Sequence, residues 1–147
     1  MSTDAPHQKR KLIDIVKNYK ALLQRVDEYL RLDIEHADIA HYLGLSISNY
    51  YSKRKGERRF TYHDIKQLLE RFGTEEEKRQ YYQFIEVRDK VYNCLVESRV
   101  PLAQYRRLIH LQHHKNLIRR RDHPDTWKVE DLEIIGQFME SIAYCID

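Results

Sequence analysis

The stretch Ile34–Gly73, IEHADIAHYLGLSISNYYSKRKGERRFTYHDIKQLLERFG, decides how the chain is read. Ile39, Leu43 and Leu45 bracket Gly44. A short polar run, Ser46 to Asn49, then opens a second apolar-periodic segment that carries Tyr50 and Tyr51. The spacing predicts a helix, a tight turn and a second helix. Gly44 supplies the positive φ that a sharp turn between two short helices requires. Ala40, four residues earlier, is small enough to let the second helix approach. Ser46 suits the N-cap, where free N–H groups favour an anion such as phosphate.

Outward from this core the whole chain reads as all-α. The apolar residues Leu12, Ile15, Val16, Tyr19, Leu22, Leu23, Val26, Tyr29 and Leu30 fall at three- and four-residue steps. They predict a long first helix over about 12–33, after a polar tail at 1–9. Helices follow at about 35–43 and 46–54, then a basic loop at 55–60. Thr61 with Asp64 predicts the start of a fourth helix, which carries Ile65, Leu68, Leu69 and Phe72 and stops at Gly73. Thr74 to Glu77 is a second capping pattern and predicts a fifth helix reaching about 98. Three more are predicted over about 101–110, 112–121 and 128–143, the first opened by Pro101. The division expected is a helical domain at 10–73 and a second one at 74–147.

The second half reads as a diverged repeat of the first. An offset of 66 pairs Tyr29 with Leu95, Leu43 with Ile109 and Leu45 with Leu111. From the third helix an offset of 67 pairs Tyr50 with Leu117, Phe60 with Trp127, Ile65 with Leu132 and Phe72 with Met139. One extra residue in the second turn accounts for the change. Arg106 stands at the place of Ala40 and His110 at that of Gly44. Both argue against a second tight turn.

In IAHYLGLSISNYYSKRKG, the residues Ile39, Ala40, Leu43, Gly44, Leu45, Ser46, Ser48 and Gly56 resemble the helix-turn-helix of the Cro/repressor-type (Xre-like, lambda-repressor-like) DNA-binding family. The run Asp64–Gly73 resembles that family's next helix. The resemblance spans about residues 12–73. Lys53 stands where the family usually has an apolar residue, and Ile47 where it often has a polar base reader. The resemblance implies a lambda-repressor-like bundle, a transcriptional regulator bound to double-stranded DNA, a homodimer and no cofactor. By family position the third helix enters the major groove with Ser46, Ile47, Ser48, Tyr51 and Ser52 toward the bases. Serine can bond to several bases, whereas isoleucine can only touch a thymine methyl. Asn49, Lys53, Arg54, Lys55, Arg58 and Arg59 are then expected on phosphates, which set affinity and position.

Charge segregation agrees with a polyanion partner. The chain has 147 residues and a net charge of +3, yet residues 39–63 hold five Lys/Arg against one acid. Residues 99–121 hold seven Lys/Arg and no acid. There, His113, His114, Lys115, Arg119, Arg120 and Arg121 form a possible second basic surface. His110 and His114 have a spacing able to bind zinc, but no acid or cysteine is near in sequence, and no metal is expected. No nucleophile motif or glycine-rich phosphate loop is present, so no enzyme is expected. Cys94 and Cys145 are far apart and read as reduced thiols. With no leader-like or membrane-length apolar run, a cytoplasmic protein is expected. The alternative function is a helical protein–protein interaction module that keeps the fold without sequence-specific DNA readout.

Overall fold

The computed structural model describes residues 9–146, so all but the last residue of the expected polar tail lies outside it. Among the described residues there are eight α-helices and no strand: α1 Leu12–Tyr29, α2 His36–Tyr42, α3 Ile47–Arg54, α4 Tyr62–Phe72, α5 Glu75–Glu97, α6 Leu102–Leu108, α7 His114–Asp122 and α8 Val129–Ser141. A single 3-10 turn, Pro124–Thr126, precedes α8. The protein is all-α, and among the described residues no helix is long and apolar enough to cross a membrane.

The chain divides into two compact units. The first is Tyr19–Tyr82. The second joins the segment ending at Asn18 to everything from Gln83 onward. Both divisions fall inside helices: α1 and α5 each give one part to each unit.

In the first unit Tyr19, Leu22, Val26, Leu30, Ile39, Ala40, Leu43, Tyr50, Ile65, Leu68, Leu69 and Tyr81 are buried. Local chemistry starts its helices. The Thr61 hydroxyl accepts the Asp64 N–H, while the Asp64 carboxylate accepts the Thr61 N–H, both at 3.0 Å. Thr74 and Glu77 make the same reciprocal pair at the head of α5. Each box satisfies two N–H groups that a helix start leaves without an intrahelical partner. Glu77 is buried and also accepts from the Tyr29 hydroxyl and pairs with Arg25 at 3.0 Å. Burial works against its charge, but the bonds from Tyr29 and Thr74 and the Arg25 cation outweigh it and hold the carboxyl below its ordinary range. Gly73 ends α4 with φ −77°, so no left-handed cap is involved. A Cβ there would stand 2.6 Å from the Leu69 carbonyl oxygen, and that close approach is what demands glycine.

The second unit buries Leu12, Ile13, Phe84, Val87, Val91, Cys94, Leu95, Tyr105, Ile109, Leu117, Trp127, Leu132, Ile135 and Met139, among others. The Ile146 N–H donates to the Arg10 carbonyl at 2.9 Å, fastening the last described residues to the start of α1. Cys94 and Cys145 are free thiols.

Element spans recur along the chain. α6 starts and ends 66 residues after α2, while α7 and α8 start 67 residues after α3 and α4. The two interhelical turns match bond for bond. Gly44 has φ +70°, with Leu43 N–H to the Ile39 carbonyl at 3.0 Å and Leu45 N–H to the Ala40 carbonyl at 2.9 Å. His110 has φ +59°, with Ile109 N–H to Tyr105 at 3.3 Å and Leu111 N–H to Arg106 at 2.9 Å. This corrects the expectation that Arg106 and His110 prevent a tight turn. The turn needs a left-handed residue, and an exposed histidine can adopt that conformation. Arg106 is only half-buried, and its guanidinium swings out to donate to the Gln112 carbonyl at 3.0 Å.

The Gly44 turn carries a stability prediction. A Cβ at Gly44 would meet nothing within 4 Å, so Gly44→Val acts through backbone strain alone. A β-branched residue held at positive φ should cost about 1–3 kcal/mol. Denaturant titration of the variant measures this; an unchanged midpoint would contradict the account of the turn.

Candidate nucleic-acid interface

The α2–α3 corner sets the first surface. Ser46 is the N-cap of α3 in extended conformation, and its hydroxyl accepts the Asn49 N–H at 3.1 Å. Such a cap is worth about 1 kcal/mol. Tyr50 is fully buried, and its hydroxyl lies 2.8 Å from His36 Nδ1, tying α3 to α2. Burial pushes its phenol above the ordinary range, so it stays neutral. With Tyr50 anchored inward, Ile47, Ser48 and Asn49 face solvent at the start of α3, and Ile47 is 47% exposed. Tyr51 sits at the edge of this face, its ring packed against His36 and Tyr50 with Arg54 over it at 6.0 Å. Ser52 is half-buried and its hydroxyl donates to Glu57 at 3.3 Å.

The basic residues part company. The N–H groups of Glu57 and Arg58 both reach the Ser52 carbonyl, folding the loop back along α3. Arg58 thereby comes within 3.5 Å of Asn49 Oδ1. Ser48, Asn49 and Arg58 therefore form one exposed surface, and Lys55 and Arg59 are exposed beyond it. Lys53 does not join them. Its ammonium lies 2.7 Å from the buried Asp64 carboxylate, with side chains 13% and 7% exposed. The expected phosphate role for Lys53 is thus corrected: the charge is turned inward and held by Asp64. Arg54 is half-buried, and its Nε donates to the Leu30 carbonyl at 3.1 Å.

In the second unit α7 is positioned by buried Leu117. His113 is its N-cap residue but makes no side-chain cap bond. His114, Lys115 and Arg119 are exposed. Arg120 is half-buried. It donates to the Asn116 carbonyl at 3.1 Å, lies 4.0 Å from Asp131 and sits over the Trp127 ring. Arg121 donates to Asp122 at 2.9 Å and lies over Tyr92. The Arg120–Asp131 pair stands 67 residues after Lys53–Asp64 in both members, so one ion pair between third and fourth helix occurs twice. Sequence reading took Asp64 for a capping residue and found no role for Asp131. The signal that could have exposed both is the cation–acid spacing of 11, repeated at the offset of 67.

Among the described residues no group of three His, Cys, Asp or Glu gathers where it could hold a metal ion. No family model, curated protein or solved structure matches the chain.

Proposed function

We propose that this chain is a DNA-binding transcriptional regulator of the Cro/repressor type, with α2 and α3 as its helix-turn-helix and α3 entering the major groove. The carrying observation is the folded-back loop that joins Arg58 to Asn49 beside exposed Ser48. A basic loop beside the exposed start of a capped helix suits a duplex, whose phosphates flank the groove. Ile47 and Ser48 are the candidate base contacts, and Lys55, Arg58 and Arg59 the phosphate contacts. Regulation would be reversible occupation of an operator by a cytoplasmic homodimer, with no cofactor. Exposed Ile47 and Tyr51 favour the second reading, a protein-interaction module on the same fold.

Binding should be strongly salt-dependent. Each neutralised phosphate contributes about −0.9 to the slope of log K against log salt on duplex DNA. A labelled duplex titrated at several salt concentrations tests this. A flat response, or no binding at low salt, discards the DNA reading and leaves the interaction module.

A further inference from the structure

We propose that α7 is a second DNA-contacting helix, and that Lys115 and Arg119, rather than the adjacent Arg120 and Arg121, carry its charge to the duplex. This rests on the DNA-binding reading of the first unit.

Position by position α7 stands where α3 stands, 67 residues on, behind the same left-handed turn and beside the same cation–acid pair. The exposed serine at 48 becomes Lys115, and Ser52 becomes Arg119. Lys115 and Arg119 are four residues apart, so they share one helix face, and both are exposed. No described residue makes an ion pair or side-chain hydrogen bond with either. Like charges at this spacing repel and destabilise a helix. An external polyanion relieves that repulsion. The neighbouring arginines differ, because Arg120 is held by Asn116, Asp131 and Trp127, and Arg121 by Asp122 and Tyr92. Arg120 is half-buried and committed within the unit, while Arg121 is exposed and its charge is offset by neighbouring Asp122.

Residues 99–121 carry no acid, the one acid of α7, Asp122, is already paired with Arg121, and Arg107 on α6 is exposed. Duplex DNA is favoured over an acidic protein because α7 repeats the placement of the helix assigned to DNA. Lysine and arginine on a helix face can pair with phosphates or with guanine edges.

The test is anisotropy titration of the full chain against a labelled mixed-sequence duplex about three helical turns long at several salt concentrations. Lys115→Ala/Arg119→Ala should weaken binding about tenfold or more at moderate salt and flatten the log–log slope by about 1.8. Arg121→Ala and the pair Lys17→Ala/Lys90→Ala, on α1 and α5, should leave the slope unchanged. Far-UV circular dichroism checks the fold, and Lys115→Gln/Arg119→Gln replaces the alanine pair should that pair unfold. Wild-type affinity in the Lys115/Arg119 variant, with binding lost in Ser48→Glu/Arg58→Glu, overturns the inference and leaves the first-unit reading standing. No binding by the wild type overturns both. Binding of poly-L-glutamate more tightly than duplex at equal charge, lost in Lys115→Ala/Arg119→Ala, assigns α7 to an acidic protein and also overturns the inference.

Discussion

Asp64→Ala is expected to destabilise the first unit by about 3–5 kcal/mol, the usual consequence of leaving one member of a buried ion pair alone. Asp64 is 5% exposed. One of its oxygens accepts from both Lys53 Nζ at 2.7 Å and the Thr61 N–H at 3.0 Å. Alanine strands the Lys53 ammonium at a largely desolvated position and opens the capping box of α4. Lys53→Met should cost less, because Asp64 still accepts from Thr61 and the methionine fills the lysine's path, but it too leaves a buried carboxylate without its cation. Adding Lys53→Met to Asp64→Ala should recover part of the loss, since no cation then remains unpaired. Chemical denaturation of the four proteins in a double-mutant cycle measures the coupling. A loss below about 1 kcal/mol for Asp64→Ala would show that the pair does not hold α3 to α4. On the proposed DNA-binding reading, Lys53→Met should also leave duplex affinity unchanged, which separates an inward lysine from a phosphate contact.

Gly136→Val should lower the stability of the second unit by about 3 kcal/mol, at the upper end of ordinary overpacking. In a chain of this size that is a fall in Tm of roughly 6–12 °C. A Cβ at Gly136 would stand 2.9 Å from both the Cα and the backbone nitrogen of Ile13. These are main-chain atoms of α1 and cannot rotate aside. Gly136→Ala gains about 1 kcal/mol of helix propensity, yet the same contact makes it a net loss. Thermal melts of both variants check this. An alanine variant that melts at or above the wild type would mean that α8 shifts freely against α1.

The helix starts were legible because their chemistry is local. Thr61 with Asp64, Thr74 with Glu77 and Ser46 before Asn49 lie within four residues of one another, and each pair caps as its spacing predicts. The helix order and the single-residue shift between the two offsets were also legible, since apolar period and element length are written directly in the sequence. What escaped depends on contacts distant in sequence. Lys53 looked like one more cation in a basic run, because the acid that claims it lies 11 residues away across a loop. Arg120 and Arg121 look equivalent to Arg119, and only their surroundings separate them. Gly136 sits in an ordinary helical pattern and gives no hint of Ile13. At position 110 the error was chemical: histidine was read as a barrier to a turn that asks only for a left-handed backbone.

The division of α1 between the two units sets an order of assembly. Tyr19–Tyr82 is continuous in sequence, so its core can close as soon as that length of chain is free. The second unit needs the first turns of α1 against a glycine more than 120 residues later, and Arg10 bonded to Ile146. Contacts of such separation pay their loop-closure entropy before they return any stability, and they slow folding. The segment ending at Asn18 therefore waits for α8 before its contacts in the second unit are complete. Until α8 arrives, Ile13 lacks the close approach of Gly136, and an interval with apolar surface still uncovered is when a chain is most exposed to association with other unfinished copies.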